Sequence, residues 1–435
     1  MPREAPPPIW DVVEEHLDEA AFLWTQWEAA LASARYAIAE VAAGPEERLR
    51  AHLDGVAIGG EAAEAKLLAP ALADPDLGRV AAAAAVLAAR GRLEPLRAAV
   101  KPDAPDAARA ITRALGLALA PDAEKRLARW LDDPDPAAQV VAIDALAFRG
   151  AAPAPDVRAL LGTADPALRA AVLRASPILG DGGRQAVEGA LDDPDPATRD
   201  AAVEAGLRLG LRSAWTACQR AADAGRPTPL ALEVLAASGE PADVERIAAA
   251  AEVKELRRAA LFAAGLSGRA RGAAVCAAHL GDPVAGRAAG DGLRAVTGVA
   301  VAGALEAPEP EEPDEPAALE ADDLDRPALP PDDAALPRPD AAAVLQWWRE
   351  ARASFPDGPR WIEGRPWSAE EALRAFRVGP TRRRPAIGRE LAIRSRGAWR
   401  IETRAWARDQ LRAETERPLA LRGDLGAPFS RLLRA

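Results

Sequence analysis

A repeat of thirty residues is the feature of this sequence that most constrains its fold. Three segments align without a gap and end at Gly150, Gly180 and Gly210. Leucine and proline recur at the same spacing, as Leu131, Leu161 and Leu191 and as Pro136, Pro166 and Pro196. Weaker copies continue this spacing, so that about eight units lie between residues 60 and 298. A unit of this length buries its apolar face only against neighbouring units, so the pattern predicts a repeat array.

Each unit has the helix start and stop signals of a helical hairpin. Asp135 is suited to cap the second helix of its unit, and Pro136 fits the first helical turn, where no N–H is needed. Gly150 then supplies the positive φ that ends this helix. Hydrophobic residues make up 49% of the chain but aromatic residues only 4%, which favours closely packed helices with small side chains. The sequence therefore predicts an all-α fold, built as an α-solenoid with a small helical C-terminal module.

The repeats resemble the short HEAT-like class first described in phycobilin lyases, whose units follow the pattern L-x-D-x-D-P-x-V-R-x-A-A-x-x-A-L-G. The unit ending at Gly210 carries this pattern at Leu191, Asp193, Pro196, Arg199, Ala201 and Ala202. The resemblance implies the α-solenoid fold over more than half of the chain. It implies no particular function, because the class includes enzymes, chaperones and scaffolds.

The two ends of the chain carry a second resemblance. The segments HLDEAAFLW (16–24) and PEERLRAHLDG (45–55), and later TRRRPAIGRELAIRSRG (381–397) and RIETRAWARDQ (400–410), are similar to an uncharacterised proteobacterial family of HEAT-like repeat proteins. Genes of that family often lie near those of the type VI secretion machinery. The resemblance implies an accessory or scaffold role in that system.

Four regions follow from these patterns. Residues 1–60 form capping helices, 61–304 the repeat solenoid, 305–340 an acidic proline-rich linker, and 341–435 a basic helical module rich in Trp and Arg. In the first region an apolar stripe at helical spacing includes Trp24 and Trp27. We expect this stripe to cover the end of the repeat core, and a partner-binding surface is the alternative.

Charge separates the linker from the module that follows it. Residues 306–340 hold 13 acidic and 2 basic residues with 9 prolines, a composition that cannot bury a core and predicts an extended segment without regular helix. Residues 341–435 hold 20 arginines and 11 acidic residues. The whole chain has a net charge of −11, and an acidic repeat region repels nucleic acid.

The C-terminal module is the predicted partner-binding region. Trp and Arg are the residue types most enriched at binding hot spots. The candidate residues are Arg382, Arg383, Arg384, Trp347, Trp348, Trp361, Trp367, Trp399 and Trp406. There are two alternatives. The tryptophans could have a structural role in the core of the module, or the arginines could dock on the acidic linker. We expect the partner to be another protein with an acidic surface, or a component of the secretion system.

Groups that could support catalysis or hold a metal are few. His16 and Glu19 could share a helix face with His52 or Asp54, but no repeated Glu-x-x-His pair supports a metal site. The sequence contains no phosphate-binding loop, no dinucleotide-binding glycine motif and no nucleophile elbow. We therefore expect no catalytic residue, no cofactor and no bound metal.

A non-catalytic scaffold or adaptor is the function that the sequence favours. The alternatives are a HEAT-fold enzyme of the lyase or glycosylase type, and a nucleic-acid-binding protein that uses the basic C-terminal module. With only Cys218 and Cys276 as cysteines, and no apolar run long enough for a membrane span, we expect a cytoplasmic protein that does not bind membranes.

Overall fold

The structure is a computed structural model of the chain, and it describes residues 9–150, 157–179, 183–308, 333–416, 418 and 425–434. Regular structure in these residues is helical almost throughout. One two-stranded antiparallel hairpin is present, in which β1 (Trp361–Ile362) pairs with β2 (Arg365–Pro366). The predicted all-α class is confirmed.

The described chain divides into two compact units. Unit 1 takes in the described residues of 1–32, 36–214 and 396–419. Unit 2 takes in those of 33–35, 215–395 and 420–435. The residues expected to form one module, 341–435, are thus shared between both units. Sequence composition does not show this division, because it depends on which helices the C-terminal residues contact.

Unit 1 contains the N-terminal helices and the clearest repeats. Its helices are α1 (Trp10–Leu31), α2 (Ile38–Ala43), α3 (Pro45–Ile58), α4 (Gly60–Ala63), α5 (Ala69–Ala71), α6 (Leu77–Ala89), α7 (Leu93–Ala99), α8 (Pro105–Ala118), α9 (Glu124–Leu127), α10 (Pro136–Phe148), α11 (Pro166–Leu179), α12 (Arg184–Gly189) and α13 (Pro196–Arg208), with α23 (Ala407–Glu416) from the C-terminal part of the chain. The boundary with unit 2 falls inside α14 (Arg212–Asp223).

Unit 2 contains the later repeats and most of the C-terminal residues. Its helices are α15 (Pro229–Ala237), α16 (Pro241–Ala251), α17 (Arg257–Leu266), α18 (Ala270–Ala278), α19 (Gly286–Thr297), α20 (Ala341–Ala351), α21 (Ala369–Val378), α22 (Arg384–Arg394) and α24 (Phe429–Leu432). Helix α17 packs on both α15 and α19, so the second helices of successive repeats lie side by side.

Local capping sets the helix boundaries of the repeats as the sequence predicts. The Asp135 carboxylate accepts a hydrogen bond from Ala137 N at 3.0 Å at the start of α10, where Pro136 is the first helical residue. Gly150 follows this helix with φ +75° and Gly210 follows α13 with φ +79°. Both angles lie in the left-handed region that glycine adopts without a steric penalty.

Small side chains allow the helices of the repeats to approach closely. In α6 every residue from Val80 to Ala88 is buried, and α6 packs on both α1 and α8. In unit 2, a Cβ atom added to Gly265 on α17 would lie 2.6 Å from the Cα of Gly292 on α19. The high alanine and glycine content of the repeats therefore sets how closely these helices pack.

The N-terminal stripe faces the core of unit 1. Leu17, Trp24 and Trp27 are buried on α1, which packs against α3 and α6. The predicted core role of the two tryptophans is consistent with this burial, because neither ring is on the surface of the unit.

Charged pairs between helices connect neighbouring repeats of unit 1. Arg97 on α7 donates two hydrogen bonds of 2.7 Å to the carboxylate of Asp133. Arg169 pairs with Asp193 at 3.1 Å. The Arg97 guanidinium holds the pKa of Asp133 below its usual value of 3.8. These pairs join repeats that are about thirty residues apart in sequence, as expected for a repeat array.

The described ends of the predicted linker belong to unit 2 and are hydrogen-bonded to each other. Ala307 N donates to the carbonyl oxygen of Arg338 at 2.8 Å, and Leu336 is buried. The stretch 309–332, which carries most of the acidic residues of the predicted linker (305–340), lies outside the described residues.

Candidate interaction surfaces

The arginine triplet of the predicted partner-binding region lies inside unit 2. Arg383 donates to the backbone carbonyl of Asp291 at 2.8 Å and also to its carboxylate. Arg384 donates to the carbonyl of Phe376, and its guanidinium lies 3.8 Å from the centre of that ring. Both side chains are buried, at 4% and 2% residue exposure. Neither guanidinium is therefore available to an acidic partner.

Arg382 is also engaged by its own chain. Its Nη2 donates to Asp333 Oδ1 at 3.0 Å, and Asp333 accepts a second hydrogen bond of 2.7 Å from Arg258. Asp333 belongs to the predicted acidic linker, so this contact is the docking alternative that the sequence left open. The backbone holds Arg382 in place, because its N–H donates to Ser33 O at 3.0 Å.

The six candidate tryptophans are divided between the two units. Trp399 and Trp406 are buried and belong to unit 1, whereas the other four belong to unit 2. In unit 2, Trp348 is buried, and Trp347, Trp361 and Trp367 are half-buried. Ring contacts join Trp348 to Phe355 at 6.0 Å and Phe355 to Trp361 at 5.2 Å. These rings fill the spaces between short elements of unit 2.

Trp367 contacts a buried charge cluster. The guanidinium groups of Arg360 and Arg394 lie 4.8 and 4.7 Å from its ring centre. Both arginines donate to Glu390 at 2.7 Å. Burial alone would raise the pKa of Glu390, but the two guanidinium groups keep it below its usual value of 4.5. The carboxylate thus stays ionised in the interior of unit 2.

The C-terminal residues of unit 2 cap the C-terminal ends of its repeat helices. Arg394 donates to Ala237 O at the end of α15 at 2.7 Å, and Arg360 donates to Ser267 O just after α17 at 2.9 Å. Gly364 N donates to Val296 O near the end of α19 at 2.9 Å. The last carbonyl groups of a helix have no partner within the helix and carry partial negative charge, so donors and cations stabilise them.

The C-terminal residues of unit 1 contact helix ends in the same way. Trp406 Nε1 donates to Leu117 O near the end of α8 at 3.2 Å, and Arg400 contacts Ala147 O near the end of α10 at 3.5 Å. The Trp406 ring also lies 4.7 Å from the ring of Trp27. In both units, Arg and Trp of the C-terminal region therefore stabilise the repeats.

Glu46 is a structural carboxylate that the sequence analysis did not identify. It is buried on α3, accepts a hydrogen bond of 3.1 Å from Trp27 Nε1, and also accepts from the backbone N–H groups of Ala407 and Arg408. It therefore caps the first turn of α23 from a distant part of the chain. Burial raises the pKa of Glu46, and these hydrogen bonds partly offset that effect.

A second group of arginines lines unit 1, and we call it the arginine row: Arg113, Arg208, Arg400 and Arg404. Burial and the neighbouring Arg404 lower the pKa of Arg113 to about 10. Burial and the neighbouring Arg400 lower the pKa of Arg208 to about 10. Glu402 lies among them, 3.1 Å from Arg404 and 3.6 Å from Arg400. The row thus brings like charges together on α8, α13 and the segment before α23.

Arg208 is the member of the row whose charge is least compensated. In the part of the chain that the structure describes, its side chain forms neither a hydrogen bond nor an ion pair, and its Nε is buried without a partner. Glu204 and Glu402 are near enough to raise its pKa through their charge, but burial outweighs them. A guanidinium in this state gains free energy by pairing with an additional carboxylate.

The few residues with catalytic or metal-binding chemistry are dispersed. His16 Nδ1 lies 3.2 Å from His52 Nδ1 in unit 1. Cys218 and Cys276 are buried and form no disulfide among the described residues, and burial raises the pKa of Cys276 to about 12. Among the described residues, no group of three or more His, Cys, Asp or Glu side chains is arranged to hold a metal ion.

A cleft of about 410 Å³ opens in unit 2. Its charged lining residues are Arg35, Asp291, Arg294 and Glu306. None of them was a candidate from the sequence, because they come from three separate stretches of the chain.

Comparison with known proteins leaves the function open. The chain matches no protein-family model and no curated protein. Among the described residues, no helix combines the length and the apolar composition that crossing a bilayer requires. The function must therefore be inferred from the geometry of the chain itself.

Proposed function

We propose that this protein is a non-catalytic scaffold that binds an acidic protein through the arginine row of unit 1. The observation that carries the proposal is Arg208, a half-buried guanidinium that has no hydrogen-bonded carboxylate among the described residues. Arg400 lies close enough to lower the pKa of Arg208 further. One carboxylate placed between the two guanidinium groups would therefore reduce their repulsion and accept a hydrogen bond from the unpaired donor of Arg208.

The surroundings of the row favour a protein over a nucleic acid. Glu204, Glu402 and Asp144 lie near its arginines and raise the pKa of one or more of them by their charge. A surface of alternating sign suits the separate carboxylates of a protein partner, whereas a continuous run of phosphates would be repelled by these acidic side chains.

The arrangement of the repeats is part of the same proposal. Within unit 1, α8, α10, α11 and α13 pack in succession, and within unit 2, α15, α17 and α19 do so. This succession supports an α-solenoid of HEAT-like hairpins, a fold class that presents extended surfaces to other proteins. Cys218 and Cys276 form no disulfide among the described residues, which supports a cytoplasmic location. An accessory role in type VI secretion rests on the resemblance of the chain ends alone.

Site-specific photo-crosslinking in the native bacterium tests the proposal. A photoreactive residue at Glu204, one helical turn from Arg208, is expected to capture a partner whose crosslinked segment is rich in Asp and Glu. In Arg208→Glu this product is expected to disappear while the melting temperature stays at the wild-type value. The matched control is Arg129→Glu, because Arg129 is an exposed arginine of unit 1 outside the row.

Three outcomes would contradict the proposal. One is an Arg208→Glu protein that captures the same partner as the wild type. Another is equal loss of capture in Arg129→Glu, which would indicate an effect of net charge alone. The third is a captured molecule that is a nucleic acid or a basic protein segment.

A further inference from the structure

The cleft of unit 2 combines an apolar wall with two arginine side chains. Besides its charged residues, its lining includes Val301, Leu336 and Pro337. Its volume of about 410 Å³ falls in the range of pockets that hold small molecules. A site of this kind needs a few polar groups aimed at the ligand, and its arginines are the candidates.

Arg294 is poorly compensated within the chain. Its nearest carboxylate oxygen is Asp291 Oδ1 at 4.0 Å, beyond hydrogen-bond distance, and its side chain is 37% exposed. In the described part of the chain it forms no side-chain hydrogen bond. Burial and the nearby Arg383 lower its pKa. Its donors are therefore available on the wall of the cleft.

Arg35 is held at the rim of the same cleft. Its Nε donates to Ala335 O at 3.1 Å, and among the described residues this is the one hydrogen bond of its side chain. The bond fixes the plane of the guanidinium and leaves its two Nη groups to solvent or a ligand. Arg35 and Arg294 thus contribute fork-shaped donors from two separate parts of unit 2.

The acidic residues of the cleft do not cancel these two charges. The Asp291 carboxylate is already bound by Arg383 and lies 3.6 Å from Arg382. Glu306 is exposed and forms no ion pair among the described residues. The cleft therefore retains a positive end, next to one acidic side chain.

We propose that this cleft binds a small molecule through an oxyanion group, a carboxylate or a phosphate, held between Arg35 and Arg294. Guanidinium groups bind both kinds of oxyanion through paired hydrogen bonds, and the apolar wall would contact the remainder of the ligand. This site is in unit 2 and does not depend on the scaffold function proposed for unit 1.

Isothermal titration calorimetry at constant ionic strength tests the site with two probes, inorganic phosphate and succinate. Arg294→Gln and Arg35→Gln are each expected to weaken binding of the preferred probe about tenfold, the effect of one lost charge-assisted contact. Glu306→Gln is expected to tighten binding about threefold, because it removes a like charge near the anion. Arg349→Gln, an exposed arginine of unit 2 outside the cleft, is the matched control.

The two probes distinguish the sources of the oxyanion, and preferential binding of either one supports the proposal. Should Arg294→Gln fail to fold, Arg35→Gln decides, because Arg35 is exposed. The proposal is overturned if neither probe binds the wild-type protein at millimolar concentration. It is also overturned if Arg349→Gln weakens binding as much as Arg35→Gln, or if Glu306→Gln leaves it unchanged.

Discussion

Replacement of Arg394 by Met is expected to destabilise unit 2 more than any surface substitution. The Arg394 side chain has no exposed surface and donates to the Glu390 carboxylate at 2.7 Å. Its guanidinium also donates to three backbone carbonyl groups, those of Leu425 (2.8 Å), Ala427 (2.7 Å) and Ala237 (2.7 Å). One side chain thus joins α22, the C-terminal residues and the end of α15.

The size of the effect follows from these contacts. Removal of one partner from a buried ion pair costs about 3–5 kcal/mol, and the lower end applies here because Arg360 remains bonded to Glu390. Each carbonyl group left buried and unpaired costs about 1 kcal/mol more. The expected loss is about 6 kcal/mol, which is comparable with the whole stability of a typical domain. Arg394→Lys retains the charge but not the planar fork, and about half of this loss is expected.

Urea unfolding followed by circular dichroism, with hydrogen exchange at the end of α15, measures both effects. Arg349→Met is the matched control, since Arg349 is exposed on α20. We expect exchange near Ala237 to accelerate in Arg394→Met and to stay at the wild-type rate in the control. A loss of less than 1 kcal/mol relative to that control would refute the assignment of Arg394 to helix capping.

Two further predictions concern packing and charge in the repeats. Gly265→Ala is expected to lower the free energy of unfolding in urea by about 1–3 kcal/mol, because the new Cβ would lie 2.6 Å from Gly292 Cα. In the control Gly189→Ala the new Cβ meets no atom within 4 Å, so this substitution should be neutral or stabilising. Equal losses in the two variants would contradict the packing argument. The depressed pKa of Asp133 implies stability that is present above pH 3.8 and lost as the pH falls further. As the pH falls below 3.8, the free energy of unfolding of Asp133→Asn should therefore decrease less than that of the wild type, by up to about 1 kcal/mol. An equal decrease in both proteins would argue against the Arg97 pair.

The helical class and the boundaries of the repeat helices could be predicted from the sequence because they depend on local interactions. Asp135 bonds to an N–H two residues away, and Gly150 needs only its own positive φ. The apolar stripe of α1 could also be predicted from the sequence, since helical spacing alone places Trp24 and Trp27 on one face of the helix. Residues a few positions apart in sequence determine each of these features.

The role of the C-terminal arginines and tryptophans was decided by tertiary structure. Arg383 binds Asp291, which is 92 residues away in sequence, and Ala407 N binds Glu46 across 361 residues. Composition cannot distinguish an arginine that binds a partner from one that caps a helix, because both need the same charge and the same donors. Burial decides between them, and burial depends on which distant helices the segment contacts. The sequence by itself therefore determined the repeat unit, whereas only the tertiary structure assigned Arg383 and Trp406 to the interior and left Arg208 without a bonded carboxylate among the residues that it describes.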